Sequence, residues 1–306
     1  MTTTAIAFHD HEPVGPDLLS TVTHGLSQPQ KRIPPKFFYD ERGSQLFDAI
    51  CAQPEYYVPD VERRILQRLA PELRAAIGPG CVLIEPGAGA AAKVRELLPV
   101  LEPAAYVPID ISGPYLKQVA HDLAADFPGL AIHAACDDFT RDFRLPPNLP
   151  AGRRLCFFPG STLGNFDPQE ASTHLRRFAQ HVGPEGLLLI GVDTKKPAEV
   201  LHAAYNDAAG ITASFNRNLL ERLNRELDAD FAVEHFEHEA FYNADAGRVE
   251  MHLVSRREQS VTIGEQTFRF DPGERLHTES SYKYRPQEFL AMAREAGLVD
   301  RHHWLD

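Results

Sequence analysis

The chain has 306 residues, 43% of them hydrophobic and 24% charged, which is ordinary for a soluble globular protein of one large or two medium domains. With 43 acids against 31 lysines and arginines the net charge is -12, which argues against a phosphate-tracking groove and so against a nucleic-acid partner. The longest apolar run, Gly186 to Val192, is far below the ~20 residues that span a bilayer, so no membrane association is expected.

The start, MTTTAIAFHDHEP, lacks a basic region followed by an apolar stretch, so no leader is read there. His9-Asp10-His11 reads as part of a disordered tail. From Val61 to Lys195 strand and helix patterns alternate, as in a parallel sheet covered on both faces. The strand runs are VLIEP from Val82, AYVPID from Ala105, AIHAAC from Ala131, RLCFFPG from Arg154 and LLLIGVD from Leu187. Helices fall between them, such as QEASTHLRRFAQHV after Asp167-Pro168. Five such units predict an open, doubly wound α/β sheet of Rossmann-like type. After Lys195-Lys196-Pro197 the character changes. A helical stretch, SFNRNLLERLNREL from Ser214, precedes five alternating runs, FEHEAFY, RVEMHLVSR, QSVTI, QTFRF and HTESSYKY. Turn signals at Asn243 to Gly247 and at Asp271-Pro272-Gly273 split them, which predicts antiparallel strands. From Pro286 a last helix, QEFLAMAREAGL, leads to a run ending at Asp306. Cys51, Cys81, Cys136 and Cys156 lie far apart with no C-x-x-C pair; they read as core thiols of a reducing, cytoplasmic compartment.

Chemistry concentrates at Cys81 to Gly89, CVLIEPGAG, where an apolar strand closes on an acid and breaks into spaced glycines. Glycines let a ligand approach the backbone, and the helical spacing of AAAKVRELLPVL predicts a helix directly after them. Gly87-x-Gly89-x-x-Ala92 fits a dinucleotide-binding turn, which would mean NAD and hydride transfer. Against that, Glu85 precedes the glycines and two further strands end in acid, at Asp110 and at Asp137-Asp138-Phe139. This order resembles the S-adenosylmethionine (SAM) methyltransferases. The resemblance implies that Glu85 helps hold the methionine end, Asp110 the ribose hydroxyls, and Asp138 beside Phe139 the adenine amino group. Taken singly, Asp110 and Asp138 are equally well read as helix caps.

Longer strings narrow the resemblance. IPPKFFYDERGSQLFDAI from Ile33, PEYY from Pro54, FPGSTLGNF from Phe158, FNRNLLERLNRELDADF from Phe215, EMHL from Glu250 and TESSYKYRP from Thr278 resemble the histidine-specific Nα-methyltransferases. That family trimethylates L-histidine to hercynine, the first step of ergothioneine biosynthesis, and releases S-adenosyl-L-homocysteine. The likeness runs from about Ile33 to about Trp304. It implies a second, α+β substrate domain made of residues 1–60 and an insertion at 196–286, beside a SAM domain at 61–195 to which residues 287–306 return. It also implies that Tyr39, Gly87, Gly89, Lys93, Asp110, Asp138 and Phe139 contact SAM. Tyr56, Asn165, Tyr205, Glu279 and Ser281 would contact histidine, with Phe47 and Met251 as walls. Tyr39 and Tyr56 would hold the reacting amine. Asn165 and Tyr205 can donate to a carboxylate, while ionised Glu279 accepts an imidazole N–H and Ser281 serves the other ring nitrogen.

Without the resemblance, Glu279 would read as a solvated strand residue paired with Lys283. Tyr57 reads as core packing, and Arg153-Arg154 and Arg256-Arg257 as solvated. His235-x-x-His238 would point to opposite strand faces, so no metal is expected. Two departures from the family stand out. Ala90, Ala91 and Ala92 replace the usual hydroxyl residues after the glycines, and a further strand is expected where the chain stops at Asp306. The alternatives are a sister N-methyltransferase for another, aromatic amino acid and, less favoured, the NAD enzyme. A monomer is expected.

Overall fold

The computed structural model describes residues 6–11 and 17–306; the reading of residues 1–5 as free of a leader lies outside them. In chain order the first elements are β1 (Ile6–Asp10), α1 (Leu18–Leu26), α2 (Glu41–Cys51) and α3 (Val58–Ile77). Asp17 and Asp40 cap α1 and α2 by accepting from Ser20 and Gly43 N–H groups. Along α3 the buried residues Leu66, Leu69, Leu73 and Ile77 recur every third or fourth position, which turns one face to the sheet. Then β2 (Val82–Pro86), α4 (Val94–Leu101), β3 (Ala105–Asp110), α5 (Gly113–Asp126), β4 (Ile132–Cys136), β5 (Arg154–Phe158), α6 (Pro168–Val182) and β6 (Leu187–Ile190) follow. The remaining elements are α7 (Ala198–Ala204), α8 (Ile211–Leu227), β7 (Phe236–Asn243), β8 (Arg248–Ser255), β9 (Gln259–Ile263), β10 (Gln266–Phe270), β11 (Arg275–Tyr282) and α9 (Pro286–Glu295).

Six strands form one parallel sheet in the order β1-β4-β3-β2-β5-β6. The chain winds outward from β2 through β3 to β4, then returns to β5 on the other side of β2. That reversal makes a switch point at the C-terminal ends of β2 and β5, where ligands of such sheets bind. The five predicted strands are present, and the sixth is a correction. Residues read as a tail form β1, paired from Ile6↔Ile132 to Asp10↔Cys136, and the His11 ring bonds Asp137 at 2.9 Å. A five-residue run carries little periodicity of its own; the open edge of β4 decides its structure. At the other end no strand among the described residues pairs the far side of β6, and along that edge a hollow of about 1120 Å³ is lined in part by Leu69, Leu73, Leu187, Leu189 and Trp304.

The antiparallel runs divide into a β11-β8-β7 sheet and a separate β10-β9 hairpin. One buried cluster unites Val22, Phe38 and Ile50 with Leu201, Phe215, Leu219, Leu253 and Leu276. Two others cover the two faces of the parallel sheet. The helix predicted directly after the glycine turn begins only at Val94. Gly87, Gly89 and Ala91 all hold positive φ, so the backbone up to Lys93 stays a turn. All four cysteines are unpaired.

Candidate active site

At the switch point β2 ends in Glu85-Pro86 and the chain turns through Gly87, whose φ is +69° and whose N–H bonds Ile109 at 2.8 Å. A Cβ on Gly87 would stand 2.9 Å from the Phe139 ring, whereas Gly89 opens on empty space. Asp110, at the end of β3, accepts from the Gly89 N–H at 3.0 Å and the Ser112 N–H at 3.0 Å. Asp138 holds Thr140 through one carboxylate oxygen and faces the Lys36 ammonium at 3.3 Å with the other. Both acids therefore hold the local backbone after their strands, and Asp110 is tied directly to the glycine turn. Phe139 packs edge-on against Phe158 and Phe166. Glu85 is turned inward, where the Tyr106 hydroxyl donates to it at 2.5 Å; burial pushes its carboxyl up to about 8, against that hydrogen bond.

Lys93 points at an acid that the sequence reading missed. Its ammonium lies 2.5 Å from Glu62 on α3, and Glu62 also accepts from the Gly160 N–H at 2.8 and 3.0 Å. Two glycines leave room for this pair. A Cβ at Gly160 would lie 2.8 Å from the Lys93 nitrogen, and one at Gly191 would lie 2.0 Å from a Glu62 oxygen. The glycines that end FFPG and LLLIG were the available signal, since each lets a side chain approach the backbone after a strand.

The second half of the site is an aromatic chain facing a polar strand. Tyr39 and Phe47 meet edge-on at 5.6 Å between ring centres, Phe47 and Tyr56 at 6.4 Å, and Tyr56 and Tyr205 at 6.1 Å. Phe215 of α8 backs Tyr39 and Phe47. Asp40 fixes this group: its carboxylate accepts from Gly43 at the start of α2 and from Asn218 and Arg225 on α8. Opposite, Glu279 on β11 pairs in register with Met251 on β8, just beyond a bulge between His277 and Glu279. Both side chains are buried. Burial pushes the Glu279 carboxyl up to about 7, with the Lys283 charge pulling the other way. The Tyr205 and Ser281 hydroxyls bond each other at 2.8 Å. Asn165 closes the 3-10 turn Thr162–Asn165, seated on β11 so closely that a Cβ on Gly164 would lie 2.7 Å from the Tyr282 carbonyl oxygen.

Lys283 is no solvated partner of Glu279. Its side chain is wholly buried, 3.0 Å from Asp193, and Tyr57 donates to the same Asp193 at 2.6 Å. Tyr57 does pack on the core, but its hydroxyl belongs to this network. Arg153 and Arg154 bond the carbonyls of Ala76, Ile77 and His181, and Arg256 pairs with Glu237. His235 lies in a 3-10 turn and His238 bonds the Tyr205 carbonyl. A different trio, Glu250, His252 and His277, comes within metal-ligand reach, its two β8 members on the opposite strand face from Met251. There Arg248 already pairs with Glu250.

The family described as histidine-specific, SAM-dependent methyltransferase matches residues 18–306. Histidine N-alpha-methyltransferase of Mycolicibacterium smegmatis is 40% identical, covering 93% of this chain and 90% of its own. Ergothioneine biosynthesis protein 1 of Neurospora crassa is 32% identical over 90% of this chain, which spans only 32% of that longer protein. L-tryptophan methyltransferase of Psilocybe serbica is 27% identical, covering 96% of this chain and 92% of its own. A glycine cradle ringed by acids, an aromatic chain facing Glu279 and a match over almost the whole length agree: the chain belongs to the histidine-specific, SAM-dependent methyltransferases.

Proposed function

We infer that the chain transfers methyl groups from SAM to the α-nitrogen of L-histidine, giving the trimethylated betaine hercynine for ergothioneine biosynthesis. The carrying observation is a buried acid and two linked hydroxyls, Glu279, Ser281 and Tyr205, set opposite Tyr39, Phe47 and Tyr56. The hydride-transfer reading of Gly87-x-Gly89-x-x-Ala92 is set aside by the family match, whose description names SAM.

When bound, SAM supplies an electrophilic methyl on a sulfonium, so catalysis needs position and exclusion of water more than proton transfer. The residues fit that cofactor. Gly87 and Gly89 open the backbone to it, and Lys93 with Glu62 offers both signs of charge to a zwitterionic amino-acid end. Asp110 would take the ribose hydroxyls, Asp138 and Phe139 the adenine, while inward-turned Glu85 would support the turn. On the substrate side, Glu279 would accept an imidazole N–H, Ser281 would meet the other ring nitrogen, and Asn165 and Tyr205 the carboxylate. Met251 and Phe47 would bound the ring. An α-amine with a reference pKa near ~8 has a neutral fraction at cytosolic pH, so the site has only to present it. Tyr39 and Tyr56 line that side; burial holds the Tyr56 phenol well above its ordinary range, which keeps it a neutral donor.

The division into a SAM domain at 61–195 and a substrate domain from 1–60 and 196–286 forms part of this proposal, with β1 as the exception, since it completes the parallel sheet of the SAM domain. The core shared by Val22, Phe38 and Ile50 with Leu219 and Leu253 supports it. A monomeric state, which gel filtration checks, and a cytoplasmic location, supported by four unpaired cysteines, belong to the same proposal. The direct test of function is mass spectrometry of the protein with SAM and each amino acid separately. Histidine should gain one, two and three methyl groups; gain on tryptophan and none on histidine would overturn the reading.

A further inference from the structure

Lys283 lies just past the end of β11 with its side chain fully buried. Three oxygens surround its nitrogen: Ser281 Oγ at 2.9 Å, Asp193 Oδ2 at 3.0 Å and Tyr205 Oη at 3.1 Å. An ammonium has three protons and no lone pair, so every one of these bonds runs outward from the lysine. Both hydroxyl oxygens are thereby acceptors. Tyr205 and Ser281 share a further bond of 2.8 Å, which uses one of their two hydroxyl protons. The other proton has no acceptor among the described residues; either hydroxyl can carry it, and with Ser281 donating to Tyr205 Oη it is the Tyr205 hydroxyl that confronts the pocket as a donor. Asp193 is meanwhile shared: Lys196 reaches it at 2.5 Å and Tyr57 donates to it at 2.6 Å. Two lysines against one carboxylate leave a positive charge in excess behind the hydroxyl pair. Glu279 is the other charged side chain on this stretch of strand, and Ser281 stands between it and Lys283, since residues 279, 281 and 283 share one strand face.

We propose that Lys283 is a positioning residue for substrate recognition: acting through Tyr205 and Ser281, it fixes a donor and a positive field toward the pocket and thereby selects amino acids with a free carboxylate. The proposal rests on the site reading above, in which Tyr205 meets the substrate carboxylate. A neutral residue at 283 would release both hydroxyls to accept as well as donate, and the preference for an anion would fade.

The test is calorimetric binding of L-histidine and of histamine, which lacks the carboxylate, to the enzyme saturated with S-adenosylhomocysteine. In the parent, histidine should bind more tightly than histamine. In Lys283→Met histidine binding should weaken by at least ~10-fold, about what one hydrogen bond to a charged group contributes, while histamine changes less than ~2-fold. Affinity for S-adenosylhomocysteine should not move, whereas a folding defect would shift it too. Lys283→Arg should keep most of the preference. Equal weakening of both ligands, or unchanged histidine binding, overturns the proposal. If Lys283→Met does not fold, the double variant Lys283→Met with Asp193→Asn removes the buried charge together with its partner and is read the same way. Tyr205→Phe separates the two layers of inference. If it leaves the histidine preference intact, the placement of Tyr205 is wrong; if it lowers the preference and Lys283→Met does not, only the role of Lys283 fails.

Discussion

At Glu279 recognition and stability pull in opposite directions. An isolated buried carboxyl is costly to ionise, yet only the ionised form is acceptor-only and makes the stronger, charge-assisted bond to an imidazole N–H. Glu279→Ala should lower kcat/KM for histidine by at least ~10²-fold, because the ring is left unpaired, with SAM binding nearly unchanged. Equal efficiency in variant and parent would remove Glu279 from the site. The stability consequence has a definite sign. In the folded chain the Glu279 carboxyl stays protonated up to about 7, but in the unfolded chain it ionises near 4.5. Stability is therefore fully present below 4.5 and is lost as the pH rises through 7. Glu279→Gln abolishes this slope, so it should gain up to about 3 kcal/mol on the parent at pH 8 and little at pH 4, measured by urea unfolding. The TESSYK string holds Glu279, Ser281 and Lys283 at alternate positions, so their common strand face could be read from spacing alone. That Lys283 is buried could not. It depends on Asp193, ninety residues earlier in the chain, arriving from the end of β6 to neutralise it.

Among the elements, the turn from β2 to α4 shows what periodicity leaves out. Alanines are strong helix formers, and AAAKV invites a helix that starts at once. The backbone instead takes a left-handed step at Ala91, following those at Gly87 and Gly89, and the helix is delayed to Val94. Bonds from the Gly87 and Ala88 N–H groups to Ile109, and from Gly89 to Asp110, tie the turn to β3 and outweigh local preference. Gly87→Ala is the sharp probe here. Its φ of +69° would cost about 1–2 kcal/mol with a side chain, and the new Cβ would press on Phe139. SAM affinity should fall at least ~10-fold by calorimetry, with the circular dichroism spectrum unchanged. Retained affinity would show that the cofactor does not use this turn. β1 was illegible for a related reason: its identity lies in the edge it covers, not in its own five residues.

For the whole molecule, the central question is how the inserted strands and the parallel sheet hold one another at the site. The doubly wound sheet was legible because continuous apolar runs ended in acids at regular intervals; the packing of first and last thirds into one core was not, since no local pattern links Phe38 to Phe215. Asp193 is the junction. It follows β6 and receives Lys283 from β11, Lys196 from the connecting segment and Tyr57 from the head of α3. Asp193→Ala strands the Lys283 charge without its carboxylate and should destabilise the fold by about 3–5 kcal/mol in urea unfolding. A loss below ~1 kcal/mol would mean that the network is looser than its distances indicate.

Which nitrogen is methylated, and on which molecule, decides the function. Tandem mass spectrometry of the product formed from L-histidine and excess SAM answers this directly. Three methyl groups on the α-nitrogen and none on the imidazole are predicted, because in the proposed orientation Glu279 and Ser281 would engage the ring while Tyr39 and Tyr56 would face the amine. A methyl group on a ring nitrogen would contradict that orientation, and no methylated histidine at all would contradict the function.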